Sequence, residues 1–371
     1  MTEKIGYKYT DLDHPAQSYV VIDFEWNQPI PWIKSSVDPK VLPGEIIEIG
    51  AVKVSLTGSG YFVSAPFHVM IKPICYTVMN RNVSKVTNKI SSDLRYGLSF
   101  QDAYAEFVAW CGCDYIICGW GNSDLSILKS NLRFHEMNAD LHTLFLDVQP
   151  LFARVAEGIS QQRSVEYAVD FLKIPKKDDF HAAHRDAEYT GLILKELLTI
   201  LDCSSENRRD QSGVSQPVAG LFDVKINHYL QNPDLHAESS IRTQVYNNWE
   251  SCFEDAAKEP AICPACGAPL DSRLSWFRIK KSAYALWVCP NHNLIQGRMR
   301  AKKTPDGKAY AAVIIRLTNP ASARVVEERY AEYLEYGHAG KPVPILSAQE
   351  SMPEAKDDTD GEEGSSREEK Q

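Results

Sequence analysis

The stretch Tyr19-Val-Val-Ile-Asp-Phe-Glu-Trp26 constrains this chain more than any other. Residues with the apolar, β-branched texture of a buried strand lead directly into two carboxylates, Asp23 and Glu25, and alternation along a strand sends both to one face at its end. Two anions side by side repel. A divalent cation between them removes the repulsion, and carboxylate oxygens suit Mg²⁺ or Mn²⁺. Taken alone, Asp-x-Glu fits equally a strand that runs out into a polar turn, so the residues downstream must decide.

At 371 residues the chain exceeds a usual single domain, and two folded units with a tail are expected. An apolar share of 44% is ample for a core, and a net charge of −9 excludes a protein coated with basic surface. The charge is unevenly spread, however: the C-terminal end is acidic, whereas Arg273 to Lys303 is strongly basic. Nine irregularly spaced cysteines and no apolar leader point to a reducing interior, with the cytoplasm as the expected location. No run of about 18 apolar residues is present, so no membrane span is expected.

Residues 45–55 and 61–72 have strand texture on either side of a turn at Gly58-Ser-Gly60, which predicts an antiparallel meander. Beyond it, Phe100–Trp110, Ser123–Phe134, Ser164–Leu172 with Ser164 as cap, and Asp186–Leu201 have helical spacing. Asp114–Gly119 and Leu144–Val148 read as buried strands between them. Paired strands followed by alternating strands and helices predict an α/β domain with a mixed sheet flanked by helices over 1–202. Residues 203–220 are polar and rich in breakers, a linker; 221–260 are expected as a short helical connector. A cysteine-bearing module over 261–340, with a trailing strand at Tyr310–Leu317 and helix at Ala321–Tyr336, precedes a disordered acidic tail over 347–371.

Three further residues join the opening pair. Asp124 lies where a strand meets a helix, and Phe180-His-Ala-Ala-His-Arg-Asp186 places His181 in a loop five residues before Asp186 at a helix start. Singly, each acid is an ordinary partner of a helix N-terminus and His181 an ordinary loop histidine. Together with Asp23 and Glu25 they place acids and a histidine at element ends of one α/β domain, where chance is the poorer account. The run from Tyr19 to about Leu201 resembles the DEDDh family of 3′-to-5′ exonucleases, which have Asp-x-Glu on the first strand, a mid-domain Asp before a helix, and His-x4-Asp near the end. Gly44-Glu-Ile-Ile-Glu-Ile-Gly-Ala-Val and Ser99-Phe-Gln-Asp-Ala are similar to that family's second strand and its helix before the mid-domain motif. Within the family, the branch that trims small RNAs and ribosomal RNA ends is the nearest in texture.

The resemblance implies a ribonuclease H-like fold and two Mg²⁺ or Mn²⁺ ions held by Asp23, Glu25, Asp124 and Asp186. It also implies that His181 takes the proton from the attacking water. An imidazole with an ordinary pKa of about 6.5 suits that task, and His184 is its rival. Asp147 is expected to be structural. Phe24 and Trp26 flank Glu25; packing is the simpler role for Phe24, while Trp26 could stack on a terminal base. Trp120, beside the mid-domain motif, is carried as a further candidate substrate contact.

Cys263-Pro-Ala-Cys266-Gly and Cys289-Pro-Asn-His292 form two tight turns, each offering a pair of ligands with the spacing of a tetrahedral zinc site. No open position or general base accompanies them, so one structural Zn²⁺ is expected, in a module resembling the ribbons appended to topoisomerases. His292 departs from the all-cysteine pattern. Lys280, Lys281, Arg298 and Arg300, interleaved with Trp276, Phe277, Tyr284 and Trp287, suit a single-strand-binding face; a ribbon face that contacts protein is the alternative. The expected activity is release of nucleoside 5′-monophosphates from a free 3′ end of single-stranded nucleic acid, RNA ahead of DNA. The alternatives are a binding or assembly protein with an unused nuclease fold, and a nuclease for very short oligonucleotides or signalling nucleotides.

Overall fold

The computed structural model describes residues 18–33, 35–176, 182–206, 224–235 and 238–336. His181, most of the expected linker and the acidic tail lie outside the described residues. The chain divides into two units, one drawn from Met1–Glu238 and Leu317–Arg329, the other from Ser239–Arg316 and Tyr330–Gln371.

In the first unit, β1 (Ser18–Asn27) pairs antiparallel with β2 (Glu45–Thr57), whose other edge carries β3 (Gly60–Val63) and then β4 (Phe67–Met70). The single strand expected over 61–72 is therefore two. Pro66 explains the break, since it has no amide hydrogen for the ladder. There follow α1 (Arg81–Thr87), a 3-10 turn at Asp93–Tyr96, α2 (Phe100–Cys111), β5 (Tyr115–Gly119) and α3 (Ser123–Phe134). Next come β6 (Phe145–Asp147), α4 (Val148–Ala156), α5 (Val165–Phe171) and the long α6 (Ala183–Glu206). Ser99, Asp147 and Ser164 each accept from an amide in the first turn that follows, so the starts of α2, α4 and α5 are fixed by side-chain caps.

β5 lies parallel to β1 and β6 parallel to β5, while β7 (Leu230–Gln231) returns antiparallel to β6. The sheet order is β3-β2-β1-β5-β6-β7, with β4 beside β3 on β2. Alternation along β1 serves two cores. Tyr19 and Val21 pack with Val52, Val54 and the apolar sides of α4, α5 and α6; Val20, Ile22 and Phe24 pack with residues of α2 and α3. The expected α/β sandwich is the observed one.

The second unit has β8 (Glu238–Arg242), α7 (Trp249–Lys258), β9 (Asp271–Ile279), β10 (Ser282–Cys289), β11 (Asn293–Lys303) and β12 (Ala309–Leu317), in the sheet order β8-β12-β11-β10-β9. The last helix, α8 (Pro320–Tyr336), falls in the first unit up to Arg329 and in the second from Tyr330. Residues 221–260 thus contain two strands as well as helix, a correction to the all-helical connector. β7 is two residues long and β8 is Glu-Ser-Ser-Ile-Arg, so neither has the apolar alternation that marks a strand.

Candidate active site

One face of the β1–β2 ladder changes character along its length. Tyr19 opposes Val54 and Val21 opposes Val52; then Asp23 opposes Gly50 and Glu25 opposes Glu48. The apolar half anchors the ladder on α6, and the acidic half faces the first turn of the same helix. Gly50 makes this approach possible: a Cβ built there would lie 2.1 Å from the Ala183 carbonyl carbon and 2.2 Å from the His184 nitrogen. The backbone of α6 therefore rests on the bare α-carbon opposite Asp23. One turn on, Asp186 joins the pair, and carboxylate oxygens of Asp23, Glu25 and Asp186 all lie within 4.8 Å of one another.

Asp124 enters from the opposite core. It is 6% exposed in the first turn of α3, and its Oδ1 accepts from the Phe24 amide at 2.8 Å. That bond fixes the strand residue between the two acids to the start of α3 and leaves Oδ2 for other work. Asp147 caps α4 and accepts from Gly121 N at 2.9 Å and Gln149 N at 3.0 Å, so it orders the loop ahead of Asp124 from a distance, as expected of a structural acid.

The acids carry the electrostatic mark of their crowding. Burial, followed by the charges of Asp124, Asp186, Glu25 and Glu48, pushes the Asp23 carboxyl well above its usual range. Burial and then Glu48 push Glu25 up to about 8. Burial raises Asp124 to about 6 against the lowering effect of the Phe24 amide. Such a group of oxygen donors fits hard divalent cations, which would relieve the repulsion directly.

Glu48 is the participant that the sequence pattern did not single out. It is 1% exposed, its Oε1 lies 2.8 Å from His68 Nε2 and 3.6 Å from His184 Nδ1, and Lys89 pairs with its Oε2. Burial opposes the Glu48 charge, but the bonds from His68 and Lys89 outweigh it and hold the carboxyl below its usual range. Burial, then the charge of His68, holds His184 below its usual value. The signal available was a charged residue inside the apolar run Ile46-Ile-Glu-Ile49.

The end of β1 is also braced. Asn27, fully buried, donates through Nδ2 to Tyr76 O at 2.6 Å and Val78 O at 2.9 Å and accepts from Asn80 N at 2.9 Å. The Glu45 carboxylate accepts from the amides of Ile74, Cys75 and Tyr76. Residues 74–80 are held beside the acidic end of β1 by these two side chains.

The aromatic candidates are accounted for largely by packing. Phe24, carried as a candidate substrate contact though packing is the simpler role, is 2% exposed and meets Phe107 edge to face, so its side chain belongs to the core. Trp26 is half-buried, and its ring covers Gly44, where a Cβ would sit 2.3 Å from Cδ1. Trp120 donates through Nε1 to Arg163 O at 2.9 Å. In the second unit Trp276 and Trp287 are buried and pack against each other at 5.1 Å, with Phe277 packed on Tyr284, so their expected availability for stacking is corrected too. Lys280, Lys281, Arg298 and Arg300 are exposed.

The four zinc candidates converge. Cys263 Sγ lies 3.5 Å from His292 Nδ1, Cys266 Sγ 3.7 Å from Cys289 Sγ, and Cys289 Sγ 3.7 Å from His292 Nδ1. A tetrahedron built on Zn–S of about 2.3 Å and Zn–N of about 2.0–2.1 Å has edges of about 3.5–3.8 Å, so the donors already stand at a zinc ion's spacing. Asn291 donates to Cys266 Sγ at 3.6 Å and draws that thiol down to about 6, toward the thiolate a metal requires.

Acidic side chains from β1, α3 and α6 gather at one end of a mixed sheet. Residues 20–194, just under half of the chain, match the family model RNase_T, described as exonuclease. No curated protein sequence matches the chain. Among solved structures, the chain is similar to the nuclease domain of 3′hExo, a DEDDh family member bound to rAMP. The identity is 14% and the TM-score 0.44, over 50% of this chain and 94% of that one. It is also similar to cell-death related nuclease 4, at 14% identity and TM-score 0.42, over 50% of this chain and 65% of the other. A complex of E. coli exonuclease I with single-stranded DNA matches at 15% identity and TM-score 0.39, over 52% of this chain and 43% of the other. The chain thus spans less than two thirds of two of these three proteins. No helix among the described residues is long and apolar enough to cross a membrane.

Proposed function

We propose that the chain is a 3′-to-5′ exonuclease that releases nucleoside 5′-monophosphates from single-stranded nucleic acid, with a zinc-bearing second domain that grips or selects the strand. The carrying observation is the set of Asp23, Glu25 and Asp186 oxygens within 4.8 Å of one another, in surroundings that push Asp23 and Glu25 far above their ordinary range. Asp23, Glu25, Asp124 and Asp186 hold two Mg²⁺ or Mn²⁺ in this reading. Such ions, when bound, supply an activated water and neutralise charge on the leaving oxygen. Asp23 and Glu25 would hold the ions from a rigid ladder, Asp124 would add its second oxygen from α3, and α6 would contribute Asp186. His181 accepts the proton of the attacking water; His184, whose ring faces Glu48 and His68, is left to a different role. RNA is placed ahead of DNA on the resemblance to the branch that trims small RNAs. Cys263, Cys266, Cys289 and His292 hold a structural zinc, and the exposed Lys280, Lys281, Arg298 and Arg300 lie along phosphates rather than stacking on bases.

A panel of 3′- and 5′-labelled RNA and DNA, single- and double-stranded, with Mg²⁺ or Mn²⁺, tests this. Metal-dependent monophosphate release from the 3′ end is expected, absent in Asp23→Ala and largely lost in His181→Ala but retained in His184→Ala. Binding without hydrolysis by the wild type would replace the reading with that of a nucleic-acid-binding protein.

A further inference from the structure

We propose a second zinc site, separate from the cysteine cluster, formed by Glu48, His68 and His184, that antagonises metal binding at the neighbouring carboxylates. Glu48 Oε1 lies 2.8 Å from His68 Nε2 and 3.6 Å from His184 Nδ1, and all three ligand atoms fall within 4.8 Å of one another. A tetrahedral ion bound at about 2.0–2.1 Å holds its ligands about 3.3 Å apart, so these contacts bracket the spacing. Two imidazoles and one carboxylate favour a borderline ion such as Zn²⁺ over Mg²⁺, which prefers oxygen alone.

An independent observation points to a ligand. His184 Nδ1 is buried and has no hydrogen-bond partner among the described residues, though it faces a carboxylate oxygen at 3.6 Å. A buried polar nitrogen left in this way is costly, and a cation shared with Glu48 would satisfy it. The site is also fixed in place. His68 and His184 rings lie 4.5 Å apart, Glu48 is held by Lys89, and α6 is seated on Gly50. The positive charge of Lys89 offsets Glu48, but Asp23, Glu25, Asp124 and Asp186 keep the surroundings negative. His68 is half-exposed, which leaves a path for the ion.

Glu48 stands directly across the ladder from Glu25. A cation on Glu48 would therefore raise the potential at Glu25 and weaken Mg²⁺ binding there, and Mg²⁺ would weaken zinc by the same factor. Only this antagonism rests on the nuclease reading; the zinc site itself does not.

The test is isothermal calorimetry of the full chain, loaded with its cysteine-site zinc, titrated with ZnCl₂ in excess Mg²⁺ without nucleic acid. One further equivalent is expected. His68→Ala and His184→Ala should each weaken it more than the roughly 10–100-fold that loss of a mere hydrogen-bond partner of a ligand costs. His68 is half-exposed, so its variant should fold, with circular dichroism as the check. Absence of the further equivalent, or its survival in His68→Ala with loss in Asp186→Asn, overturns the site. A Mg²⁺ titration with and without this zinc should show weaker Mg²⁺ binding in the wild type and no change in His68→Ala; equal affinities in the wild type would remove the antagonism and leave the site standing.

Discussion

The amide of Phe24 and the carboxylate of Asp124 meet at 2.8 Å across 100 residues of sequence, so one oxygen of a candidate metal ligand also holds the two layers together. The two roles can be separated. Asp124→Asn keeps an oxygen acceptor for Phe24 while removing the charge, and should melt within about 1 kcal/mol of wild type while losing most hydrolysis. Asp124→Ala strands a buried amide and should lose about 1–3 kcal/mol of stability as well. Thermal melts beside a hydrolysis assay distinguish them; equal melting of both variants would show that the bond contributes nothing.

Stability of the metal-free protein should fall as pH rises from about 5 to 8. Glu25 is raised from an ordinary 4.5 to about 8, and Asp124 from 3.8 to about 6. Between those values the native state holds protons that the unfolded chain has released. The stabilising difference is fully present below the unfolded pKa values and is lost as pH climbs through the folded ones. Mg²⁺ bound to the ionised acids reverses the trend, so the rise in melting temperature on adding Mg²⁺ should grow across the same window. A constant Mg²⁺ effect from pH 5 to 8 would contradict this.

Gly50→Ala should cost more than any other small change in β2. Its new methyl would occupy space held by the Ala183 and His184 backbone, which cannot yield as a flexible side chain could. The α6 start must lift, taking Asp186 from Asp23. Hydrolysis should drop at least tenfold with a melting loss of about 1–3 kcal/mol, the usual range for overpacking. Wild-type turnover would mean that the seat of α6 does not matter.

Asn27→Ala should release residues 74–80 without touching an acid. It removes the partner of two carbonyls and two amides, and a loss of about 2–4 kcal/mol is expected, with new proteolytic cleavage in 74–80. Limited proteolysis with mass spectrometry reads this, and an unchanged fragment pattern would count against the brace.

Much of the first unit was legible because its chemistry and its periodicity coincide. The β1 run names its own acids, and the Ser123–Phe134 helix has the bounds its pattern gives. Helix α1 escaped because Arg-Asn-Val-Ser-Lys-Val-Thr shows no apolar period and is started by the Asn80 cap. The opening of α6 at Ala183 escaped because its first turn is polar and is positioned by contact with Gly50, a tertiary cause with no local sign. Glu48 was passed over for the same reason, since a strand pattern says that a residue faces inward but not that His68, Lys89 and His184 await it there. The aromatics of the second unit misled for the converse reason. Composition counts rings, and only the fold shows Trp276 and Trp287 turned against each other over Gly297.

Glu45 and Asn27 settle the shape of residues 74–80 before anything arrives. In the proposed reading, a strand reaching the acids would meet residues 74–80 as a rim already in its final form, and little ordering entropy would be charged to the protein at the encounter. Preference among ends would come from the polymer's side of the exchange: a frayed terminus enters at once, whereas a stacked or paired one must first be pulled open. Selectivity of that kind varies with temperature and with the stability of the terminal pair rather than with any motion of the rim.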